Sequence, residues 1–256
     1  MELRGIDVSS HNGAISWAAA AGSGIRFAML RAMVGKTRDT TFAANATYAA
    51  KNGIAVGAYL YSYARSVEAA ASEARALIAM LEPLRDKITF PVAYDIEQDS
   101  QTALGRETLT AMANAFCKTV GDAGYRTLVY ANPNWLKRYY DAAALRSPVW
   151  LAHVELRPWG SSWRGEYVMH QYSWVGRVPG IKTDVDMDVS RIDLREESCM
   201  RYKTVDECPG WAQETVARLV ARGIIRGRGD ARGLDLTEDM LRMLVWLDRA
   251  GVYRTE

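Results

Sequence analysis

Two acidic residues follow an apolar segment near the middle of the chain. Residues 90–100 read FPVAYDIEQDS, so five residues suited to a buried strand lead directly into Asp95 and Glu97. Side chains at positions i and i+2 of a strand point to the same face, and two neighbouring carboxylates repel, which favours one of them keeping its proton. A protonated carboxyl beside an ionised one can act as a general acid at a glycosidic oxygen. The alternative is a pair of solvated loop residues, and the surrounding elements must decide between the two interpretations.

The chain before residue 195 alternates short apolar runs with helical patterns. The runs predict eight strands, at residues 3–10, 26–34, 54–64, 89–97, 126–132, 147–154, 166–173 and 183–190. The clearest helix spans residues 66–84, where Ser66 is a suitable N-cap and Pro83 a stop. This alternation predicts an α/β fold with parallel strands and crossover helices, closed into a TIM-like barrel whose second half is degenerate.

Acidic residues recur where these strands end. Four of them fall on the first, fourth and last strands: Asp7, Asp95, Glu97 and Asp186. The first and last strands of a closed barrel are neighbours, and barrel enzymes carry their chemistry at the C-terminal ends of the strands. We therefore expect these four carboxyl groups to meet at one mouth of the barrel. Asp184 and Asp188, on the same last strand, are interpreted as independent solvated or capping residues.

The composition restricts the function classes. The chain has 256 residues, is 49% hydrophobic and carries a formal net charge of +2, which suits a sizeable core and argues against a nucleic-acid partner recognised through a basic surface. Three widely spaced cysteines, Cys117, Cys199 and Cys208, do not suggest a disulfide framework. With three histidines and no C-x-x-C motif, a structural metal site is not expected, and His153 and His170 are interpreted as core or rim residues.

The N-terminal residues MELRGIDVSSHNG lack a positively charged segment followed by an apolar one. No secretory signal is therefore expected, and no apolar run approaches the roughly 20 residues of a membrane span. We expect a protein that is made in the cytoplasm, has no membrane partner and reaches an external substrate by another release route.

Four segments carry a family resemblance. They read RGIDVSSHNGAISW at the N-terminus, FPVAYDIE in the middle, YANPNWLKRYYD at residues 130–141 and HQYSWVGRVPGIKTDVDMDVS at residues 170–190. In this order they resemble the glycoside hydrolase family 25 lysozymes, over residues 3–193, about three quarters of the chain. The resemblance implies an irregular (β/α)5β3 barrel. It also implies an N-acetylmuramidase, which cuts the β-1,4 bonds between N-acetylmuramic acid and N-acetylglucosamine in bacterial peptidoglycan.

The resemblance also assigns roles to the acidic residues. It implies that Glu97 is the general acid that protonates the leaving oxygen, and that Asp95 assists on the other side of the sugar. Asp7 and Asp186 are implied to be supporting carboxylates that orient and tune this pair. Further substrate contacts are expected from residues at the mouth, namely Tyr59, Tyr61, Tyr130 and Gln171.

Acid chemistry of this kind needs no metal and no cofactor, and none is expected. Carboxylates at i and i+2 of one strand are similar to those of glycosidases in which the substrate's own N-acetyl oxygen is the nucleophile, so net retention is preferred over a water-based route. Two alternatives stay open here: a hydrolase of another N-acetylated glycan such as chitin, and a non-catalytic cell-wall sugar-binding barrel. Without a secretory signal, the muramidase interpretation predicts a phage or prophage endolysin.

The pattern changes after residue 200, and residues 201–256 are expected to form a separate helical module. Apolar stripes predict a helix at about residues 209–222 and a second helix that Thr237 caps at its N-terminus. The segment resembles a single S-layer-homology-like repeat, which implies binding to cell-wall polymer. About 55 residues is marginal for an independent fold, so assembly into a homodimer is the alternative. Residues 1–195 are expected to form the catalytic barrel.

Overall fold

The computed structural model describes residues 2–154, 157–192, 202–227 and 233–253. The chain forms two compact units, Met1–Ser198 and Cys199–Glu256. The predicted boundary between residues 195 and 201, and with it Cys199, lies outside the described residues. Both cysteines among the described residues are buried free thiols.

Eight strands close into a barrel in the first unit. The strands of the described residues are β1 (Leu3–Val8), β2 (Phe27–Val34), β3 (Thr37–Arg38), β4 (Ala55–Tyr61), β5 (Val92–Asp95), β6 (Thr127–Ala131), β7 (Val149–Ala152), β8 (Met169–Gly176) and β9 (Val185–Ser190). Their order is β1-β9-β8-β7-β6-β5-β4-β2, and the pairing of β1 with β2 closes the ring. The short strand β3 forms a hairpin with β2 outside this ring. All eight predicted strands are confirmed, and β3 is an addition.

Five helices follow the first five strands of the barrel. They are α1 (Trp17–Gly22), α2 (Phe42–Lys51), α3 (Val67–Leu81), α4 (Arg106–Asp122) and α5 (Pro133–Arg138). The Ser66 hydroxyl caps α3 as predicted, because it accepts a hydrogen bond from the Ala69 amide at 3.1 Å. No α-helix separates β7, β8 and β9 among the described residues. The (β/α)5β3 pattern is therefore confirmed.

The last barrel strand runs against its neighbours. β9 is antiparallel to both β1 and β8, and its register places Asp186 opposite Asp7. The other neighbouring pairs of the barrel are parallel, so the expectation of parallel strands is wrong for β9. Because of this reversal, the first residues of β9, and not its last, lie at the mouth where the parallel strands end.

Apolar side chains fill the barrel below its mouth. This interior cluster comprises Leu3, Phe27, Met29, Phe90, Ala93, Leu128, Trp150 and Met169. Phe27 and Phe90 stack with their ring centroids 4.6 Å apart, and the Phe27 ring leaves no room for a Cβ atom at Gly5. A larger apolar cluster joins the outer face of the strands to the surrounding helices. The polar side chains that line the cavity lie above this apolar cluster, at the mouth.

The described residues of the second unit form two helices, α6 (Gly210–Ala221) and α7 (Glu238–Arg249). They pack around a cluster that comprises Tyr202, Cys208, Ala212, Val216, Leu236, Leu241 and Val245. Thr237 caps α7 as predicted, by accepting a hydrogen bond from the Met240 amide at 3.2 Å. Trp211 of α6 lies outside this cluster and is 45% exposed. No helix of the described residues in either unit is long and apolar enough to cross a membrane.

Candidate active site

The mouth of the barrel holds a cavity of about 290 Å³. The cavity is lined by all the site residues predicted from the sequence, namely Asp7, Tyr59, Tyr61, Asp95, Glu97, Tyr130, Gln171 and Asp186. These side chains come from β1, β4, β5, β6, β8 and β9 and from the residues directly after β5. Closure of the barrel therefore brings together groups that are distant in the sequence.

Asp95 and Glu97 lie at different depths. Asp95 is the last residue of β5 and is 5% exposed, whereas Glu97 follows the strand and is half-buried. Burial raises the pKa of both carboxyls, and the nearby charges of Glu97 and Asp7 raise the pKa of Asp95 further. Asp95 Oδ1 has no hydrogen-bond partner among the described residues. The pair therefore retains a proton at a pH at which two solvated carboxyls would both be ionised.

A hydrogen-bond relay positions Asp7. Gln171 donates from Nε2 to Asp7 Oδ2 at 2.7 Å, and its Oε1 accepts from the Tyr130 hydroxyl at 3.0 Å. This pairing fixes the orientation of the Gln171 amide, because Asp7 offers an acceptor and Tyr130 a donor. Burial raises the pKa of Asp7 well above its usual range, and the charge of Asp188 adds to the rise.

Asp186 and Asp188 complete a cluster of carboxyl groups around Asp7. Burial, followed by the charge of Asp7, raises the pKa of Asp186 to about 8. Asp188 is fully buried and accepts a hydrogen bond from Trp150 Nε1 at 2.8 Å. Its pKa is also raised to about 8, chiefly by burial. At neutral pH these three acidic groups therefore share protons and do not carry three full charges.

The interpretation of Asp188 as a solvated or capping residue is wrong. Asp188 stands two positions after Asp186 on β9, so the alternation of side chains places both on the inner face. That spacing is the signal that could have found it. Asp184 does behave as a solvated residue, because its side chain is 49% exposed and pairs with Arg177 at 2.9 Å.

The barrel sequence matches a known family. Residues 6–181 match the family model of Glycosyl hydrolases family 25, which is more than half of the chain. The chain belongs to glycosyl hydrolases family 25. Residues 201–232 match the model of the S-layer homology domain. The resemblances noted in the sequence are therefore confirmed for both parts of the chain.

Three relatives illustrate the similarity to family 25. Lysozyme M1 of Streptomyces globisporus is 29% identical over 198 residues, which cover 72% of this chain and 66% of that protein. The structure of the bacterial lysozyme from Streptomyces coelicolor has a TM-score of 0.61 and 27% identity, over 77% of this chain and 95% of that one. The catalytic domain of endolysin ply40 from bacteriophage P40 of Listeria monocytogenes has a TM-score of 0.66 and 20% identity, over 77% and 96% of the two chains, and so supports the fold alone.

The family 25 cavity also contains a cation that sequence reasoning missed. Arg31 of β2 lines the cavity, pairs with Asp39 at 2.9 Å and donates to Ser10 Oγ at 3.0 Å. Burial alone would raise the pKa of Asp39, but hydrogen bonds from Ser10, Thr41 and Arg31 lower it to about 2. Burial dominates the pKa of Asp95, and the charge of Arg31 opposes that rise. An arginine inside an otherwise apolar strand is the sequence signal for this residue.

Aromatic rings form the wall of the family 25 cavity. Trp150 makes edge-to-face contacts with Tyr59 and Tyr130, with ring centroids 6.0 Å and 4.7 Å apart. At the rim, the Gln98 amide binds the Tyr61 hydroxyl. Rings with a polar tip suit sugars, which offer C–H groups on their faces and hydroxyls at their edges. Sequence reasoning missed Trp150, because it lies within the uniformly apolar run of β7.

His170 is buried in the barrel and forms hydrogen bonds with neighbouring backbone groups. His170 is fully buried, its Nδ1 accepts from the Trp159 amide at 3.0 Å, and its Nε2 donates to the His153 carbonyl at 2.7 Å. Both ring nitrogens are therefore used, as expected of a core residue. Among the described residues, no group of three or more His, Cys, Asp or Glu side chains is arranged to hold a metal ion.

Proposed function

We propose that this chain is a peptidoglycan hydrolase that cleaves the β-1,4 bond between N-acetylmuramic acid and N-acetylglucosamine. The observation that carries the proposal is the proton-sharing pair Asp95 and Glu97 in the aromatic-walled cavity of a family 25 barrel. Lysozyme M1 and the Streptomyces coelicolor protein are both named as lysozymes, and their similarity to this chain supports the same class of substrate.

Glu97 acts as the general acid in this proposal. It is the more exposed carboxyl of the pair, so it can reach a glycosidic oxygen, and burial raises its pKa, so it holds the proton to be transferred. As the bond between the anomeric carbon and the leaving oxygen breaks, this proton passes to that oxygen. Ionised Glu97 then takes a proton from the water that attacks the anomeric carbon in the second step.

Asp95 orients the nucleophile that the substrate itself supplies. Its carboxyl accepts a hydrogen bond from the N–H of the 2-acetamido group, and the acetamide oxygen attacks the anomeric carbon with net retention. Asp7 and Asp186, together with Asp188, form the neighbouring carboxyl cluster whose charge acts on this pair. In the alternative route a water molecule attacks directly. Proton NMR of the first product separates the two, because a retained β-anomer supports the acetamide route and an inverted one contradicts it.

Clearing of a suspension of purified cell walls tests the activity. The parent chain should clear the suspension, and Glu97→Gln, which keeps the shape but lacks the transferable proton, should be slower by about 10²–10⁴-fold. Glu107→Gln is a matched control, because it makes the same change at an exposed position in the first turn of α4. A Glu97→Gln rate within about threefold of the parent rate would remove Glu97 from its role.

The proposed place of action is the bacterial cell wall, reached from inside the cell in the manner of a phage or prophage endolysin. Membership of family 25 and the similarity to two lysozymes support the wall as the target. Production of the chain inside bacteria should cause lysis when the inner membrane is permeabilised. Lysis at the same rate with an intact membrane would contradict this mode of release.

The second unit is proposed to bind an anionic cell-wall polymer. Its helices α6 and α7 border a shallow groove of about 800 Å³, which is lined by Trp211, Arg242, Met243, Val245, Trp246 and Arg249. Trp246 is 76% exposed, and the Arg242 guanidinium lies 6.0 Å from the centroid of the Trp211 ring. Indole faces suit sugar rings, and guanidinium groups suit carboxylates or phosphates. A homodimer through this groove would bring like charges together, so an anionic polymer fits it better.

Sedimentation with purified walls separates these two roles of the second unit. Trp246→Ala and Met243→Ala should lower the fraction of protein that pellets with the walls. Met240→Ala is a matched control, because Met240 is 46% exposed on the same helix but does not line the groove. Cleavage of small soluble chains should be unchanged in all three. A dimer in light scattering that Trp246→Ala dissociates, with unchanged pelleting, would support the homodimer instead.

A further inference from the structure

An exposed tyrosine extends the aromatic wall of the cavity along its rim. Tyr63 follows β4 at the mouth, and its ring meets that of Tyr61, a cavity residue, edge to face with centroids 5.7 Å apart. Tyr63 is nevertheless 55% exposed, and an apolar ring in water contributes little to the stability of the fold. The ring therefore stands beside the cavity with more than half of its surface open to a ligand.

A buried glutamate holds the backbone of Tyr63. Glu73 of α3 is 4% exposed, and it accepts from the Tyr63 amide at 3.2 Å and from the Ser62 hydroxyl at 2.6 Å. The Tyr94 hydroxyl lies 2.8 Å from the Ser62 hydroxyl and extends the network. Burial raises the pKa of Glu73, which reflects the free energy that a buried carboxyl costs. This polar network fixes the segment that carries an exposed side chain.

The Tyr63 ring is also held from the side. A Cβ atom at Gly35 would lie 3.1 Å from Tyr63 Cδ2, and Gly35 has a φ of +53°, so the close approach and the backbone conformation both favour glycine. The Gly35 amide donates to the Tyr61 carbonyl at 2.7 Å and ties the turn between β2 and β3 to β4. A side chain that is already fixed loses little conformational entropy on binding.

We propose that Tyr63 forms an outer sugar-binding position of the cleft, where a pyranose ring next to those in the cavity packs against the tyrosine. The proposal rests on the proposed hydrolysis of a glycan. Its ligand is a chain of N-acetylated sugars that extends from the cavity to the rim. Tyr63 then contributes to affinity for polymeric substrate and has no part in bond cleavage.

The dependence of KM on chain length tests this role of Tyr63. With a soluble peptidoglycan octasaccharide, Tyr63→Ala should raise KM roughly three- to tenfold and leave kcat unchanged, whereas kcat/KM for a disaccharide, which contains only the bond that is cut, should not change. Tyr63→Phe retains the ring and should behave like the parent. Tyr48→Ala is a matched control, because Tyr48 is 57% exposed on α2. Equal KM values for Tyr63→Ala and Tyr48→Ala would overturn the proposal, and so would an equal fall in kcat/KM for the short and the long substrate.

Binding without turnover separates this proposal from the proposed hydrolysis. In a Glu97→Gln background, calorimetric titration with the octasaccharide reports affinity alone, and added Tyr63→Ala should weaken binding by the same roughly three- to tenfold factor. Equal affinities with and without Tyr63→Ala would overturn the role of Tyr63. A parent chain that binds the octasaccharide through Tyr63 but cleaves no glycan would support the binding position and contradict the hydrolysis.

Discussion

The buried Asp188 links the stability of the barrel to pH. Burial raises its pKa to about 8 in the folded chain, against about 3.9 for an aspartate in an unfolded chain. Between these two values the folded chain binds a proton that the unfolded chain has lost. The free energy of unfolding therefore falls as the pH rises through this window, by at most about 1.4 kcal/mol per pH unit for one group.

The substitution Asp188→Asn should remove this pH dependence. An asparagine has the same shape, can accept from Trp150 Nε1 and stays neutral at every pH. The variant should match the parent near pH 4 and become more stable than the parent as the pH rises, with a difference that grows by up to about 2.7 kcal/mol between pH 5 and pH 7. Because Asp7 and Asp186 share protons with Asp188, a smaller slope is consistent with the same reasoning.

Urea denaturation followed by circular dichroism at several pH values between 4 and 8 provides the assay. Asp184→Asn is the matched control, because it makes the same substitution near the same strand at a side chain that is 49% exposed. A stability difference between parent and Asp188→Asn that stays constant from pH 4 to pH 8 would refute the reasoning. It would mean that Asp188 is ionised in the folded chain throughout this range.

Three further predictions concern catalysis. Burial raises the pKa of Glu97, so the loss of kcat/KM at high pH should begin above the usual pKa of a glutamate, and a pH–rate profile that falls at that usual value would contradict its role as a buried acid. Gln171→Leu removes the donor to Asp7 and the acceptor of Tyr130, so kcat should fall by about tenfold or more while circular dichroism stays unchanged; an unchanged kcat would show that the relay is not needed. Excess EDTA should leave activity unchanged, because proton transfer alone accounts for the role of the acidic residues. A loss of activity that one specific divalent ion reverses would instead indicate a metal site.

The barrel could be predicted because its signals are local. Alternation of short apolar runs with helical patterns is set within each segment, and it placed all eight strands close to their observed positions. The meeting of Asp7, Asp95 and Glu97 at one mouth then followed from closure of the ring, whereas Asp186 reaches that mouth because β9 is antiparallel. Caps such as Ser66 and Thr237 were also readable, because they depend on a few neighbouring residues.

The features that escaped prediction depend on partners distant in the sequence. The direction of β9 is set by its pairing with β1 and β8, which no local pattern records. Asp188 was misread because its burial depends on the Trp150 indole that reaches it from another strand. Arg31 is held at the cavity by Asp39, which follows the hairpin strand β3 that the sequence did not reveal. In each case the sequence gives the residue type but not the distant residues that surround it in the fold.

The sugar at the newly formed reducing ends tests the central claim most directly. Purified peptidoglycan is digested with the chain, the new ends are reduced with borohydride, and the reduced sugars are identified after acid hydrolysis. Cleavage by the Glu97 and Asp95 chemistry proposed for this family 25 barrel predicts reduced muramic acid as the new end. Reduced glucosamine as the only new end, or no new reducing end at all, would contradict the account.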